Sequence, residues 1–136
     1  MILRTGTPAD VDDVLDVWHR AEAPPSVTDD ARSLLRLLGH APDALVVAEI
    51  DGAIIGTLIA TFDGWRANLY RLAVVPEHRR RGVARALVQE GEHRTQARGA
   101  RRFSALVLAA EAGALGLWEG VGYDRDPRIV RFTQTR

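Results

Sequence analysis

The segment ALVVAEIDGAIIGTLIATF, residues 44–62, leaves this chain few ways to fold. Two apolar runs meet at Asp51-Gly52, a pair that accepts the positive φ angles of a two-residue hairpin turn. The pattern predicts two antiparallel strands, and the remaining elements must build around them. ILRTG (Ile2–Gly6) reads as a short first strand. Thr7 then stands as an N-cap before Pro8, with Asp10 placed to reach back as in a capping box. Val11, Val14, Leu15, Trp18 and Ala21 recur at helical spacing, and EAPPS ends that helix. TDDARSLLRLLG predicts a second helix, with Thr28 as N-cap and Gly39 past its end. After the hairpin, RANLYRLAVV (Arg66–Val75) is a further strand, stopped by Pro76. A helix then runs to the neighbourhood of Arg98, with Ala84, Leu87, Val88 and Gly91 on one face. RRFSALVLA is a strand whose continuous apolar end suits a central position. EAGALGLWEGVG is a short helix, and YDRDPRIVRFTQ a last strand or hairpin. The order β-α-α-β-β-β-α-β-α-β predicts an α/β fold: a mixed sheet with helices on both faces.

Residues 1–136 are expected to form a single domain, long enough for a core without staples. The absence of cysteine excludes disulfides, thiolate metal sites and a cysteine nucleophile, and no His/Asp/Glu spacing suggests a metal site. No apolar run nears the roughly 20 residues of a membrane span, and MILRTGTPAD lacks the apolar segment of a signal peptide. A cytoplasmic protein without a membrane partner is the expectation. All 18 basic residues are arginine, and they balance 18 acidic ones. A neutral chain is a poor general nucleic-acid binder, and the cluster Arg79-Arg80-Arg81 has no interleaved aromatics.

That cluster sits where charge is unfavourable. In VVPEHRRRGVARALV three arginines run into a helix N-terminus, where the macrodipole prefers negative charge. The first backbone N–H groups of a helix lack internal partners and suit phosphate oxygens. Gly82 permits close approach, Ala84 leaves room, and Arg79, Arg80 and Arg81 offer charge-assisted bonds at the rim. A nucleotide-triphosphate loop needs a lysine the chain does not have, and a dinucleotide loop needs more glycines. Arg79-Arg80-Arg81-Gly82-Val83-Ala84 fits [QR]xxGx[GA], the diphosphate loop of acyl-coenzyme A transferases. The plainer reading makes the arginines a solvated helix shoulder and Gly82 a tight turn.

LYRLAVVPEHRRRGVARALV resembles the signature segment of GNAT-type N-acetyltransferases. ALGLWEGVGY (Ala114–Tyr123) is similar to a later motif of that family, and the hairpin to its antiparallel arm. The resemblance implies central strands that splay apart, near Leu72-Ala73-Val74 on one and Ser104–Leu108 on the other, with acetyl-CoA entering the gap. It implies donor contacts at Leu72, Ala73, Val74, Arg79, Arg80, Arg81, Gly82, Val83, Ala84, Arg85 and Trp118. The backbone N–H near Val74 would meet the thioester oxygen, and an amine acceptor would attack directly, without metal or covalent intermediate.

Two positions depart from the family pattern. Trp118 stands where a tyrosine often protonates the leaving thiolate, and Glu111 where an asparagine commonly touches pantetheine. An indole N–H donates a hydrogen bond but does not protonate at neutral pH, so packing is the reading preferred for Trp118. No glutamate lies on the strand before the loop to serve as general base; Glu49, Asp63, His40 and Tyr70 are candidates by location, as is a water relay. The resemblance places the acceptor beside HRAEAPPSVTDD, where Asp29 and Asp30 either attract a cation or stabilise a helix start. Trp65 is read as lining the acceptor pocket or as a surface anchor. The leading expectation is an N-acetyltransferase acting on a small-molecule or peptide amine, with a homodimer left open. The alternative is a non-catalytic acyl-CoA sensor or interaction module on the same scaffold.

Overall fold

In the computed structural model, which describes residues 1–136, the chain opens with β1 (Ile2–Thr5), a short 3-10 turn (Pro8–Asp10) and α1 (Val11–Arg20). Asp10 Oδ2 accepts from the Thr7 backbone N–H at 2.7 Å and from the Thr7 hydroxyl at 3.1 Å, so the carboxylate reaches back as the sequence predicts. The next helix, α2 (Ala31–His40), departs from expectation at both ends. Its N-cap is Asp30 rather than Thr28, because the Asp30 carboxylate takes the Ser33 N–H at 2.7 Å. Gly39 lies inside the last turn rather than past it.

The hairpin forms as β2 (Leu45–Ile50) and β3 (Ala53–Phe62), joined by left-handed Asp51 (φ 50°) and Gly52 (φ 80°). β4 (Ala67–Val74) continues the antiparallel meander. α3 (Val83–Gln96) then crosses over to β5 (Phe103–Ala105), which runs parallel to β4. With β1 antiparallel to β2, the sheet is mixed and ordered β1-β2-β3-β4-β5.

Two neighbouring residues of β3 reveal the layers. Trp18 of α1 donates its indole N–H to Thr57 Oγ1 at 2.9 Å, whereas a Cβ on Gly56 would stand 3.0 Å from Leu87 and 3.1 Å from Val83 of α3. Successive strand residues face opposite sides, so α1 and α3 cover opposite faces of the sheet. Val14 and Val17 fill the first interface, and Leu58, Leu69, Leu87 and Val88 the second; all are fully buried.

β4 carries a feature the alternation pattern did not predict. Thr57 pairs with Ala73 but Ile59 pairs with Tyr70, so β4 has one residue more than β3 over this stretch. The extra residue makes a β-bulge at Arg71, whose φ is 53°. Pairing between β4 and β5 covers only Ala67–Leu69 against Phe103–Ala105 and stops before the bulge. The strand predicted over RRFSALVLA is therefore three residues long. Beyond Leu69, Tyr70–Val74 has no strand partner on that side.

Met1–Leu106 forms one compact unit and Val107–Arg136 a second. The second holds α4 (Ala112–Gly120), and in it Trp118 meets Tyr123 edge-on at a centroid separation of 5.0 Å. The last strand expected over YDRDPRIVRFTQ does not form. Pro127 lacks an N–H, and the Asp126 carboxylate takes the Arg128 N–H at 3.1 Å and its guanidinium at 2.9 Å, so a local turn competes with extension. Ile129, Val130 and Phe132 are left exposed.

Candidate functional site

β4 ends at Val74, and Pro76–His78 makes one 3-10 turn before the arginine–glycine loop. Arg80 (φ 62°) and Gly82 (φ 81°) are both left-handed, and Gly82 is the N-cap of α3. Glycine adopts this conformation at little cost, and the space where its side chain would be is open for 4 Å. No side chain caps the helix. The amides of Arg79 and Ala86 donate to Pro76 and Gly82 carbonyls, but those of Arg80, Arg81, Gly82, Val83 and Ala84 have no acceptor in the chain. Five successive donors without acceptors lie at the positive end of a helix, an arrangement suited to an anion.

The side chains of the loop divide the work. Val83 is buried against the sheet beside Gly56, so only its amide faces the loop. Ala84 is half-buried, and Arg80, Arg81 and Arg85 are exposed. Arg80 and Arg81 form no ion pair, and the acid nearest in sequence, Glu77, is held by Arg20. Arg79 differs from the expected rim contact. Its Nε donates to the Val74 carbonyl at 3.1 Å and its Nη2 to the Ala21 carbonyl at 3.0 Å.

Leu72 is half-buried, and Ala73 and Val74 are buried. The Val75 N–H donates to the Ile55 carbonyl at 3.0 Å. Backbone groups of an antiparallel strand alternate in direction, so the N–H and C=O of Val74 face the opposite edge. That is the edge where β5 no longer pairs. The bulge also reorders the side chains. Tyr70, opposite Ile59, and Arg71 both turn toward the α1 face. Arg71 grips the α1–α2 connection: its Nε meets Asp29 Oδ1 at 2.9 Å, its Nη2 meets Asp29 Oδ2, and its Nη1 meets the Pro24 carbonyl at 3.0 Å. Asp29 is thus paired with Arg71, and Asp30 stabilises the start of α2.

The base candidates scatter. Glu49 bonds Arg4 at 3.3 Å, and His40 ends α2. Asp63 accepts the Arg66 and Trp65 amides, each at 2.8 Å, which hold its carboxyl below the ordinary range. Trp65 is exposed beside them, with the Arg66 guanidinium 4.1 Å from its ring centre. Only Tyr70, part exposed, shares a strand with Val74. In the second unit Glu111 precedes α4 without capping it, and Trp118 is buried next to Tyr123. Arg71 and its bulge were missed by sequence reasoning; the one available signal was a cation inside an apolar strand end.

The acetyltransferase (GNAT) family model matches residues 11–123. An acetyltransferase of Yersinia enterocolitica is 30% identical over 130 residues, covering 96% of this chain and 92% of that protein. The aminoglycoside antibiotic 6'-N-acetyltransferase of Acinetobacter haemolyticus superposes with a TM-score of 0.82 at 19% identity, covering 100% of this chain and 99% of that one. The diaminobutyrate acetyltransferase of Paenibacillus lautus, solved with L-2,4-diaminobutyric acid and coenzyme A, gives 0.73 at 21% identity, covering 88% and 72%. The two solved structures establish a shared fold.

Proposed function

The chain belongs to the acetyltransferase (GNAT) family, and from that membership we propose that it moves the acetyl group of acetyl-CoA directly onto a primary amine of a small molecule or peptide. The observation that carries the donor half is the run of five amides, Arg80–Ala84, without acceptors in the chain. They and the unpaired Arg80 and Arg81 side chains hold the diphosphate of the donor, with Leu72, Ala73 and Val74 beside its pantetheine arm. The Val74 N–H donates to the thioester oxygen. When the amine nitrogen attacks the carbonyl carbon, charge gathers on that oxygen, and one well-aimed donor is worth about 3–4 kcal/mol in acyl transfer. The C–N bond forms, the C–S bond breaks, and the thiolate departs; a thiol pKa of roughly 8.5 makes it a fair leaving group without an acid at Trp118. The amine proton passes to water.

Titration calorimetry with acetyl-CoA, and thiol release across an amine panel, test the reading. In Gly82→Glu a carboxylate enters the open space facing the amides, so acetyl-CoA affinity should fall by roughly 100-fold, about 3 kcal/mol. A folded Gly82→Glu that binds acetyl-CoA normally refutes the placement of the diphosphate. Tight donor binding without turnover on any amine would favour a binding module instead.

A further inference from the structure

The end of the sheet farthest from the arginine–glycine loop carries side chains that the transfer reaction leaves unused. β4 starts there at Ala67 and ends at Val74 beside the loop, so roughly 20 Å of strand separates the two places. The turn between β3 and β4 holds Trp65, which is 72% exposed, whereas Trp18 and Trp118 are buried. This turn is braced: Asp63 Oδ1 accepts the Trp65 and Arg66 amides, each at 2.8 Å. The Arg66 guanidinium lies 4.1 Å from the indole centre, within cation–π range, and most of the remaining indole surface meets solvent. The Ala67 N–H donates to the Arg102 carbonyl at 2.9 Å, and Ala67 pairs with Phe103, which brings Arg101-Arg102 beside the turn. Arg66, Arg101 and Arg102 are exposed and form no ion pair, while nearby Arg98 is paired with Asp43 at 3.4 Å.

We propose that this end of the sheet binds single-stranded nucleic acid, with an unpaired base stacked on Trp65 and the flanking phosphates on Arg66, Arg101 and Arg102. Three guanidinium groups around one exposed indole supply both halves of such a site: charge for the backbone and a flat face for a base. An acidic peptide would use the cations alone, since a carboxylate side chain offers nothing flat to the indole. The zero net charge of the chain governs the field of the whole molecule, but in the turn and the Arg101-Arg102 pair three cations face one carboxylate, Asp63. That modest excess fits micromolar binding. The site is independent of the proposed donor loop, and both can be filled at once.

Fluorescence anisotropy of labelled oligo(dT) and oligo(rU), about 12 nucleotides long, tests the site. A dissociation constant of about 10–100 µM at about 50 mM salt is expected, weakening by roughly 20-fold at about 200 mM if three phosphates are held. Trp65→Ala should weaken binding by about tenfold, and Trp65→Phe, which keeps a stacking face, by less than about threefold. Binding should quench the tryptophan emission of the wild-type protein and leave that of Trp65→Phe unchanged, because the other two indoles are buried. The double variant Arg80→Gln/Arg81→Gln should bind within about twofold of wild type. Loss of binding in that variant, with Trp65→Ala unaffected, assigns the contact to the arginine–glycine loop and overturns the proposal. Oligoglutamate of the same length binding as tightly, without quenching, overturns it in favour of an acidic partner. Failure of both oligonucleotides to bind below about 1 mM at the lower salt overturns it outright. Should melting curves show that Trp65→Ala does not fold, Arg102→Gln decides: a salt slope reduced by about 0.7 supports the site, and unchanged affinity and slope sink it.

Discussion

Thr57 is the residue on which the most separate parts of the molecule converge. Fully buried on β3, it accepts the Trp18 indole N–H at 2.9 Å and donates to the Arg71 carbonyl at 3.0 Å. One hydroxyl thus fastens α1 to the sheet and holds the left-handed bulge residue in place. A non-glycine residue at φ 53° persists when its surroundings over-determine it, and Arg71 has bonds at its carbonyl and at its guanidinium. Thr57→Val keeps the shape and leaves the indole N–H and the carbonyl without partners, each costing about 1–3 kcal/mol. Urea unfolding should show a loss of about 2–4 kcal/mol for Thr57→Val and a smaller loss for Trp18→Phe. The double variant should lose less than the two singles together, since it removes both ends of one bond. None of this was legible in TLIAT or YRLAV: a buried threonine in a strand looks like a β-branched filler, and nothing local marks an arginine for positive φ. The cap at Asp10 was legible, because its donor and acceptor are three residues apart; the contacts of Arg71 with Asp29 and of Arg79 with Ala21 bridge distant segments and leave no such trace.

At the scale of elements, α3 sets how closely the arginine–glycine loop lies to the sheet. It approaches through Gly91, where an added Cβ would stand 2.7 Å from Leu58 Cδ2 and 3.1 Å from the Ala60 Cβ. Both neighbours are buried and Ala60 has no rotamer to yield, so overpacking costs about 1–3 kcal/mol and exceeds the gain of about 1 kcal/mol in helix propensity. Gly91→Ala should therefore lower stability. Gly116→Ala in α4, with nothing within 4 Å of the new Cβ, should raise it by about 0.5–1 kcal/mol. Melting temperatures of the two variants should move in opposite directions. The helices, the hairpin and the arginine–glycine loop were readable because period, turn residues and caps are local signals. The lengths of β5 and of the predicted last strand were not, because a strand needs an edge to pair with. β4 bends away at Arg71, and the Asp126 turn occupies the segment that read as extended.

For the molecule as a whole, resistance to acid depends on carboxylates that tie distant segments. Arg4 of β1 donates to Asp10 at 2.8 and 3.0 Å and to Glu49 of β2 at 3.3 Å. The Arg4 bonds, then those from Thr7, hold the Asp10 carboxyl down from 3.8 to about 2. A carboxyl held lower in the folded chain than in the unfolded one stabilises fully above the unfolded value. That contribution is lost as pH falls from about 4 toward 2, and amounts to at most about 2 kcal/mol. Asp10→Asn should be less stable at neutral pH and show a flatter decline across that interval, measured by urea midpoints at several pH values. The order of strands in the sheet was readable as a list of elements, but not the pairing; the sheet order β1-β2-β3-β4-β5 repeats the order in the chain. A nascent polypeptide leaving the ribosome can therefore extend its sheet at one side only. Each new strand finds its neighbour already synthesised, and none has to wedge between two that are already joined.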